Sequence, residues 1–294
     1  MDSTKPLKRV AMVTGANRGL GLSVVRLLCK RFDGDVYLTS RNEERGKEAV
    51  KELQKEGLDP KFHQLDTTSM ESIDRIKKHF LEHYGGIDVL VDNAGIAYKV
   101  KSTVPFGEQA TNTIANNFYG RYNVYRTLFP IVKPHGRIVE VGGRSGARIL
   151  NAINPDLAAR FRSPEITEEK LVELVNEFVR DAKEGKHLER GWDTTAYSFV
   201  KTCILLLTWI YARHLKDDPR EDILINVCCP NACQTDMTGW IGRKTADEGA
   251  EIMLYLALLP PNAETPQGQL LLDDKEQVEW RDKDNYTVIG PPLY

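Results

Sequence analysis

The 294-residue sequence predicts an α/β fold: a doubly wound parallel sheet of about seven strands flanked by helices. Three observations carry this. Short apolar, β-branched runs alternate with amphipathic stretches from end to end, as repeated βαβ units require. A glycine-rich turn follows the first such run and opens a helix. No internal repeat, low-complexity tract or Gly/Ser linker divides the chain, so one domain over residues 1–294 is expected.

In chain order, the strands are read at Arg9 to Thr14, Asp35 to Ser40, Lys61 to Leu65, Ile87 to Asp92, Gly136 to Gly142, Ile223 to Cys228 and Gly268 to Leu272. Between them, Leu20, Val24, Leu27 and Leu28 share one helical face, and Ile73, Ile76, Phe80 and Leu81 repeat the pattern in a later crossover. From about Ala147 to Trp192 no strand is found. Pro155 to Phe161 and Thr167 to Glu184 read as helices there, the second opened by a capping pattern at Thr167 with Glu169 nearby. This stretch is expected to be a helical insertion before the long apolar helix that contains Cys203 to Tyr211.

Composition narrows the function. Hydrophobic residues are 41% and charged ones 28%, close to soluble globular chains, which argues against disorder or a coiled coil. Lys plus Arg is 40 and Asp plus Glu is 42, so the formal charge is 40 − 42 = −2, without the basic excess that nucleic acid demands. The longest apolar run is half the length of a membrane span. MDSTKPLKR lacks a signal-peptide apolar core, so no export is expected. Five cysteines, odd in number and without framework spacing, fit free thiols in a reducing compartment, the cytoplasm.

The first strand ends in TGANRGLG. Gly15, Gly19 and Gly21 there let the backbone, with Asn17, Arg18 and Leu20, approach a pyrophosphate held by amides and the positive end of the following helix. The alternative is a tight turn that needs positive φ and binds nothing. At the end of the second strand, where NAD-binding folds place an acidic residue on the ribose, the chain reads Ser40-Arg41. A carboxylate would repel a 2′-phosphate, whereas Arg41 and Arg18 can pair with it, so NADP(H) is favoured over NAD. The bland reading leaves both arginines as solvated surface charges. Asp66 is placed either to contact adenine or to cap the helix after Thr67, Thr68 and Ser69.

Tyr197 and Lys201 form Tyr-x-x-x-Lys, and a spacing of four puts both on one helical face. A free tyrosine, with a pKa of about 10, is a poor acid near neutrality; a nearby ammonium stabilises the phenolate and brings it into range. The pair alone is common by chance. Combined with the glycine loop, DNAG at Asp92 to Gly95 and Asn117 in the next helix, the order is far more specific.

On these motifs the chain resembles the short-chain dehydrogenase/reductase family, with its Rossmann-type fold, and more closely that family's monomeric carbonyl reductase branch. TGANRGLG, DNAG, NNFYG at Asn116 to Gly120 and TAYSFVK match family segments. INVCCP, QTDM and EGAEIMLYLALLPP, with the insertion before Tyr197, look like that branch. The resemblance covers nearly the whole chain. It implies an NADPH-dependent oxidoreductase that reduces aldehydes, ketones or quinones, with glutathione conjugates as a further substrate type. It implies that Tyr197 protonates the carbonyl oxygen, that Lys201 holds ribose and tunes Tyr197, and that Asn117 holds a backbone kink and a proton-relay water. Asn93, Ala94, Gly95 and Pro230 would line the cofactor. The inserted helices imply a monomer, because they cover a surface that other members use for dimer packing.

The family's catalytic serine is missing. In Val141-Gly142-Gly143-Arg144-Ser145 the matching position is Gly143, and loss of one such donor typically costs about a hundred- to thousandfold in rate. Ser145 lies two residues on, roughly 6 to 7 Å away in extended backbone, and could take the role only if the loop folds back. Pro230-Asn231 replaces a Pro-Gly turn; Asn tolerates left-handed angles, yet its side chain is expected to crowd the nicotinamide side. The rival reading is a non-catalytic NADP-binding sensor or partner-binding protein. Cys228, Cys229 and Cys233 read as strand-end packing without metal, with Cys229 a candidate for the substrate cleft. His79 and His83 read as surface residues.

Overall fold

The computed structural model describes residues 7–99, 101–192 and 195–282. The first six residues, part of the amino-terminal segment considered above, and Val100 of the loop after the fourth strand lie outside these. The strands are β1 (Val10–Val13), β2 (Asp35–Ser40), β3 (Lys61–Gln64), β4 (Ile87–Asp92), β5 (Val132–Val141), β6 (Leu224–Cys229), β7 (Leu270–Leu272) and β8 (Gln277–Val278). They form one sheet in the order β3-β2-β1-β4-β5-β6-β7-β8. All pairings are parallel except β7 with β8. The sequence reading found seven of these strands. It missed β8, whose two residues are too short to show a period.

Helices cover both faces. On one side α1 (Gly19–Arg31), α2 (Glu43–Lys55) and α10 (Ala246–Ala257) bury Val24, Leu28, Leu53 and Met253 against the sheet. On the other lie α3 (Met70–Tyr84), α4 (Phe106–Thr113), α5 (Gly120–Leu128), α8 (Glu168–Lys183) and α9 (Ala196–His214), carrying Phe80, Tyr125, Phe178 and Phe199 into a second core. The strands are buried on both faces, which is why they read as unbroken apolar runs. Side-chain caps fix several helix starts: Asn42, Ser69 and Thr167 each accept the backbone N–H three residues on, and Thr245 and Glu248 form a reciprocal capping box on α10.

Between β5 and α9 the described chain is helical, with α6 (Arg144–Ile149) and α7 (Pro155–Arg162) preceding α8. The rings of Phe178 and Phe199 stack at 3.9 Å and so tie α8 to α9. The buried Asp181 accepts from Trp192 Nε1 at 2.8 Å and pairs with Arg190. Two sequence readings on α3 need correction. Ile73, Ile76 and Phe80 are fully buried but Leu81 is 44% exposed, because it lies one residue past the inward stripe. His79 is half-buried and hydrogen-bonded to the Tyr37 hydroxyl at 2.8 Å rather than lying free on the surface.

Candidate active site

The sheet order reverses beside β1, where β2 leaves to one side and β4 to the other, and the carboxyl ends of these strands open into a cleft. The cleft runs from Arg41 and Asp66 past the glycine loop to Asn117, Tyr197 and Lys201. Its walls contain all the residues that the sequence offered as catalytic or cofactor-binding: Gly15, Asn17, Arg18, Gly19, Leu20, Gly21, Arg41, Asp66, Asn93, Ala94, Gly95, Asn117, Ser145, Tyr197, Lys201 and Pro230.

The nucleotide end is built from backbone. Gly15 and Gly19 adopt φ of 59° and 57°, left-handed angles that favour glycine. Gly21 sits so close to the end of β4 that a Cβ there would lie 2.6 Å from Asn93 Nδ2 and 2.8 Å from Ala16 Cα. Thr14, which the sequence reading passed over, holds the loop to β4. Its hydroxyl donates to Asp92 Oδ1 at 2.6 Å and accepts from the backbone N–H groups of Asn93 and Ala94, each at 2.9 Å. Asn93 Nδ2 donates to the carbonyls of Thr14 and Gly15 at 3.0 and 3.1 Å. The result is a shallow cradle at the N-terminus of α1 into which no side chain projects from Gly15 or Gly21.

The charges around it fit an adenosine phosphate. Arg41 is exposed and has no ion-pair partner among the described residues, which leaves its guanidinium available to an anion. Arg18 instead meets Asp236 at 3.1 Å, an exposed pair of the kind that contributes little and yields to a stronger anion. Asp66 Oδ1 accepts from the N–H and hydroxyl of Thr68 at 2.9 and 2.7 Å, while Ser69 caps α3. The Asp66 side chain thus shapes the turn before the helix, and the residue also lines the cleft.

At the other end, Tyr197 and Lys201 share a face of α9, with Lys201 Nζ 5.1 Å from the centre of the Tyr197 ring. Lys201 is 6% exposed and donates to the Val141 carbonyl at 2.7 Å. Burial, and next the Arg121 guanidinium, lower its pKa to about 7, against the opposing pull of Cys229 and Glu140. Asn117 lies in a π-helical stretch, Ile114–Tyr119, that interrupts the run from α4 to α5. Its side chain accepts from Ile96 N and donates to Ile96 O, both at 2.7 Å, so it clamps the loop leaving β4.

The loop after β5 departs from the simplest sequence expectation. Gly143 is extended, with φ of 166°, an angle open to any residue, and the chain then turns at once into α6. Because of that turn, a Cβ built on Gly143 would have Ser145 Oγ as its nearest neighbour, at 3.5 Å. The two-residue displacement expected of an extended chain is thereby undone. The turn depends on Gly146, where a Cβ would lie 2.5 Å from the Lys201 carbonyl carbon and 2.6 Å from Thr202 N. Thr202 Oγ1 donates to the Gly146 carbonyl at 2.7 Å, seating α6 on α9. Asn231 adopts the tolerated left-handed angle, φ 58°. Its side chain is taken up on both sides, accepting from Arg144 Nη2 at 2.7 Å and donating to Asp273 Oδ1 at 2.6 Å. Cys229 also lines the cleft, and its Sγ accepts from Arg144 N at 3.4 Å.

Sequence reasoning missed Thr14, Arg121 and Glu140. A charge in the middle of an apolar strand, Glu140 in GRIVEV, was the available signal for the last two, since such a group needs a buried partner. No helix among the described residues is long and apolar enough to cross a membrane.

Residues 9–155 match the family model for the short chain dehydrogenase. The chain is 50% identical to carbonyl reductase (NADPH) 1 of Rattus norvegicus over 276 residues, 94% of this chain and 99% of the relative. Among solved structures, salutaridine reductase from Papaver somniferum superposes with a TM-score of 0.81 at 27% identity, covering 90% of this chain and 99% of that one. Menthone neomenthol reductase from Mentha piperita gives 0.76 at 30% identity, with the same coverage of each chain.

Proposed function

The chain belongs to the short-chain dehydrogenase family, and from that premise we propose that it is an NADPH-dependent carbonyl reductase acting on aldehydes, ketones or quinones. The observation that carries this reading is the convergence of Tyr197, Lys201 and a hydroxyl, Ser145, on the cleft that holds the glycine cradle.

When bound, NADPH supplies the hydride that the carbonyl carbon receives. The residues do the rest. The amides of the glycine loop and the N-terminus of α1 bind phosphate, and Arg41 takes the 2′-phosphate, joined by Arg18 on release from Asp236. Lys201 holds the nicotinamide ribose and, as the ammonium, favours proton loss from Tyr197. Tyr197 Oη gives its proton to the carbonyl oxygen as that oxygen gains the electron pair of the C=O bond, which leaves an alcohol. Asn117 keeps the loop at Ile96 in place. Ser145 Oγ donates a hydrogen bond to the substrate oxygen in place of the family serine, from within reach of the volume that a residue 143 side chain would fill.

The observation favouring the rival, a non-catalytic NADP-binding sensor or partner-binding protein, is Gly143 itself. One assay separates the two: purified protein with NADPH and a panel of quinones, diketones and glutathione-conjugated aldehydes, followed by cofactor absorbance. Turnover is expected. Its absence for every compound, with NADPH shown to bind, would leave the sensor. Within the enzyme reading, Ser145→Ala should lower kcat by about a hundred- to thousandfold with NADPH affinity unchanged. Gly143→Ser should restore rate in that background but add little to the natural protein. An unaltered Ser145→Ala rate would remove Ser145 from the mechanism.

The reading extends to the surroundings. Residues 147–192 are taken as an insertion in a single domain; by covering a packing surface they favour a monomer, which light scattering tests. Free cysteines, with Cys228, Cys229 and Cys233 all buried, suit a cytoplasmic protein.

A further inference from the structure

Beneath Lys201 lies a closed set of charges that the proposed reaction does not use. Asp92 ends β4, Glu140 stands near the end of β5, and Arg121 projects from α5 one turn beyond Asn117; all three are 2% exposed or less. Arg121 Nε donates to Glu140 Oε2 at 3.0 Å, Nη1 to the Asn117 carbonyl at 3.1 Å and Nη2 to the Asp92 carbonyl at 3.3 Å. Glu140 Oε1 and Asp92 Oδ2 have no hydrogen-bond partner among the described residues, although the Tyr125 hydroxyl stands near the Glu140 carboxylate. An apolar pair of similar volume would be as stable here or more so, and an ion pair in a dry interior is therefore weak as a stability device. What the pair does hold is specific: two of the three guanidinium contacts are backbone carbonyls, one of Asn117 in the cleft wall and one of Asp92, the residue before Asn93 of that wall.

We propose that Arg121, locked in place by Glu140, is a positioning residue for the Lys201–Tyr197 pair: it pins the Asn117 and Asp92 carbonyls beneath the cleft and sets the charge that Lys201 meets. The proposal rests on the reading that Lys201 holds the cofactor. Lys201 donates a hydrogen bond to the carbonyl of Val141, the residue after Glu140. The groups around it are Arg121 from α5, Glu140 from β5, Asp92 from β4, Cys228 and Cys229 from β6, and Tyr197 from its own helix. Burial is the main reason its pKa falls to about 7, and Arg121 is the largest charge acting in the same direction. The ammonium is therefore present below pH 7 and lost above it, well short of the value of about 10.4 for a free lysine.

The test is the pH dependence of NADPH affinity, followed by cofactor fluorescence, which needs no turnover. Two replacements remove the charge pair, Arg121→Gln/Glu140→Gln with amides and Arg121→Met/Glu140→Leu with apolar groups, so that failure of one to fold leaves the other. In the natural protein, affinity should weaken as pH rises through about 7. In either double variant the midpoint should move up, because Arg121 lowers the Lys201 pKa more than Glu140 raises it, giving roughly severalfold tighter binding than the natural protein at pH 8. Lys201→Met should lack the step, and titration of the cofactor phosphate is common to all samples. An unmoved midpoint in a variant with a cooperative melt would overturn the role of Arg121, as would a step that survives Lys201→Met. Failure of the natural protein to reduce any carbonyl compound would instead defeat the proposed activity and leave this titration readable.

Discussion

The two ends of the cleft are made from different materials. At the nucleotide end the surface is backbone: two left-handed glycines, a third too close to Asn93 for a Cβ, and a threonine that ties β1 to β4. At the chemical end it is side chains brought from β5, α5, α6 and α9, with a glycine where the family has serine and an arginine beside it. Amides are supplied by any residue, so the first end is constrained chiefly in where a side chain is forbidden. The second depends on which functional group arrives, and there a changed residue has to be answered by a neighbour.

The contrast can be broken most strongly at Tyr197. Replacing Tyr197 with Phe removes the proton donor and leaves the cradle untouched, so turnover should drop by about 10²- to 10⁴-fold while NADPH affinity stays within a few-fold. Stopped-flow reduction and fluorescence titration measure the two; a parallel loss of affinity would show that the ends are not separable. At the opposite end, Arg41→Ala should cost NADPH about 1.5–3 kcal/mol, roughly ten- to hundredfold in affinity, and leave NADH unaffected. Equal losses for both cofactors would remove Arg41 from the 2′-phosphate site.

Gly21→Ala sharpens the claim that shape governs the nucleotide end. The added methyl group meets Asn93 Nδ2 at 2.6 Å and backbone at 2.8 Å, so overpacking should lower stability by about 1–3 kcal/mol and weaken NADPH binding. A variant with natural melting and affinity would show the loop to be looser than drawn. The smallest effect is expected at Asp236, whose exposed pairing with Arg18 spans the mouth of the cleft. Asp236→Asn should change stability by less than about 1 kcal/mol and tighten NADPH no more than a few-fold by freeing Arg18. A large loss would mean that the pair organises the loop.

Much of the fold was legible because periodicity and turn chemistry are local. The parallel strands, the crossover helix containing Ile73, Ile76 and Phe80, the cap at Thr167 and the left-handed Asn231 all follow from residues within a few positions of one another. β8 was not legible, because two residues of antiparallel strand are selected by the edge of β7 and carry no pattern of their own. The cleft residues were nameable one by one from motifs, but their supports were not. Thr14 looks like any strand-end threonine until β4 lies beside it, and Arg121 like a surface charge until Glu140 is found facing it at 3.0 Å.

By itself, then, the sequence determined the order of elements, the glycine turn and the spacing of Tyr197 from Lys201, since helix and strand geometry convert such spacings into directions without outside help. Only the tertiary structure decided where Ser145 sits. Its distance from position 143 depends on whether the chain continues extended or turns into α6, and that is settled by Gly146 lying against the backbone of Lys201 and Thr202, more than fifty residues away along the chain. The Arg121–Glu140 pair has the same origin: each charge is too costly to bury alone, and no local pattern records which partner the fold will bring.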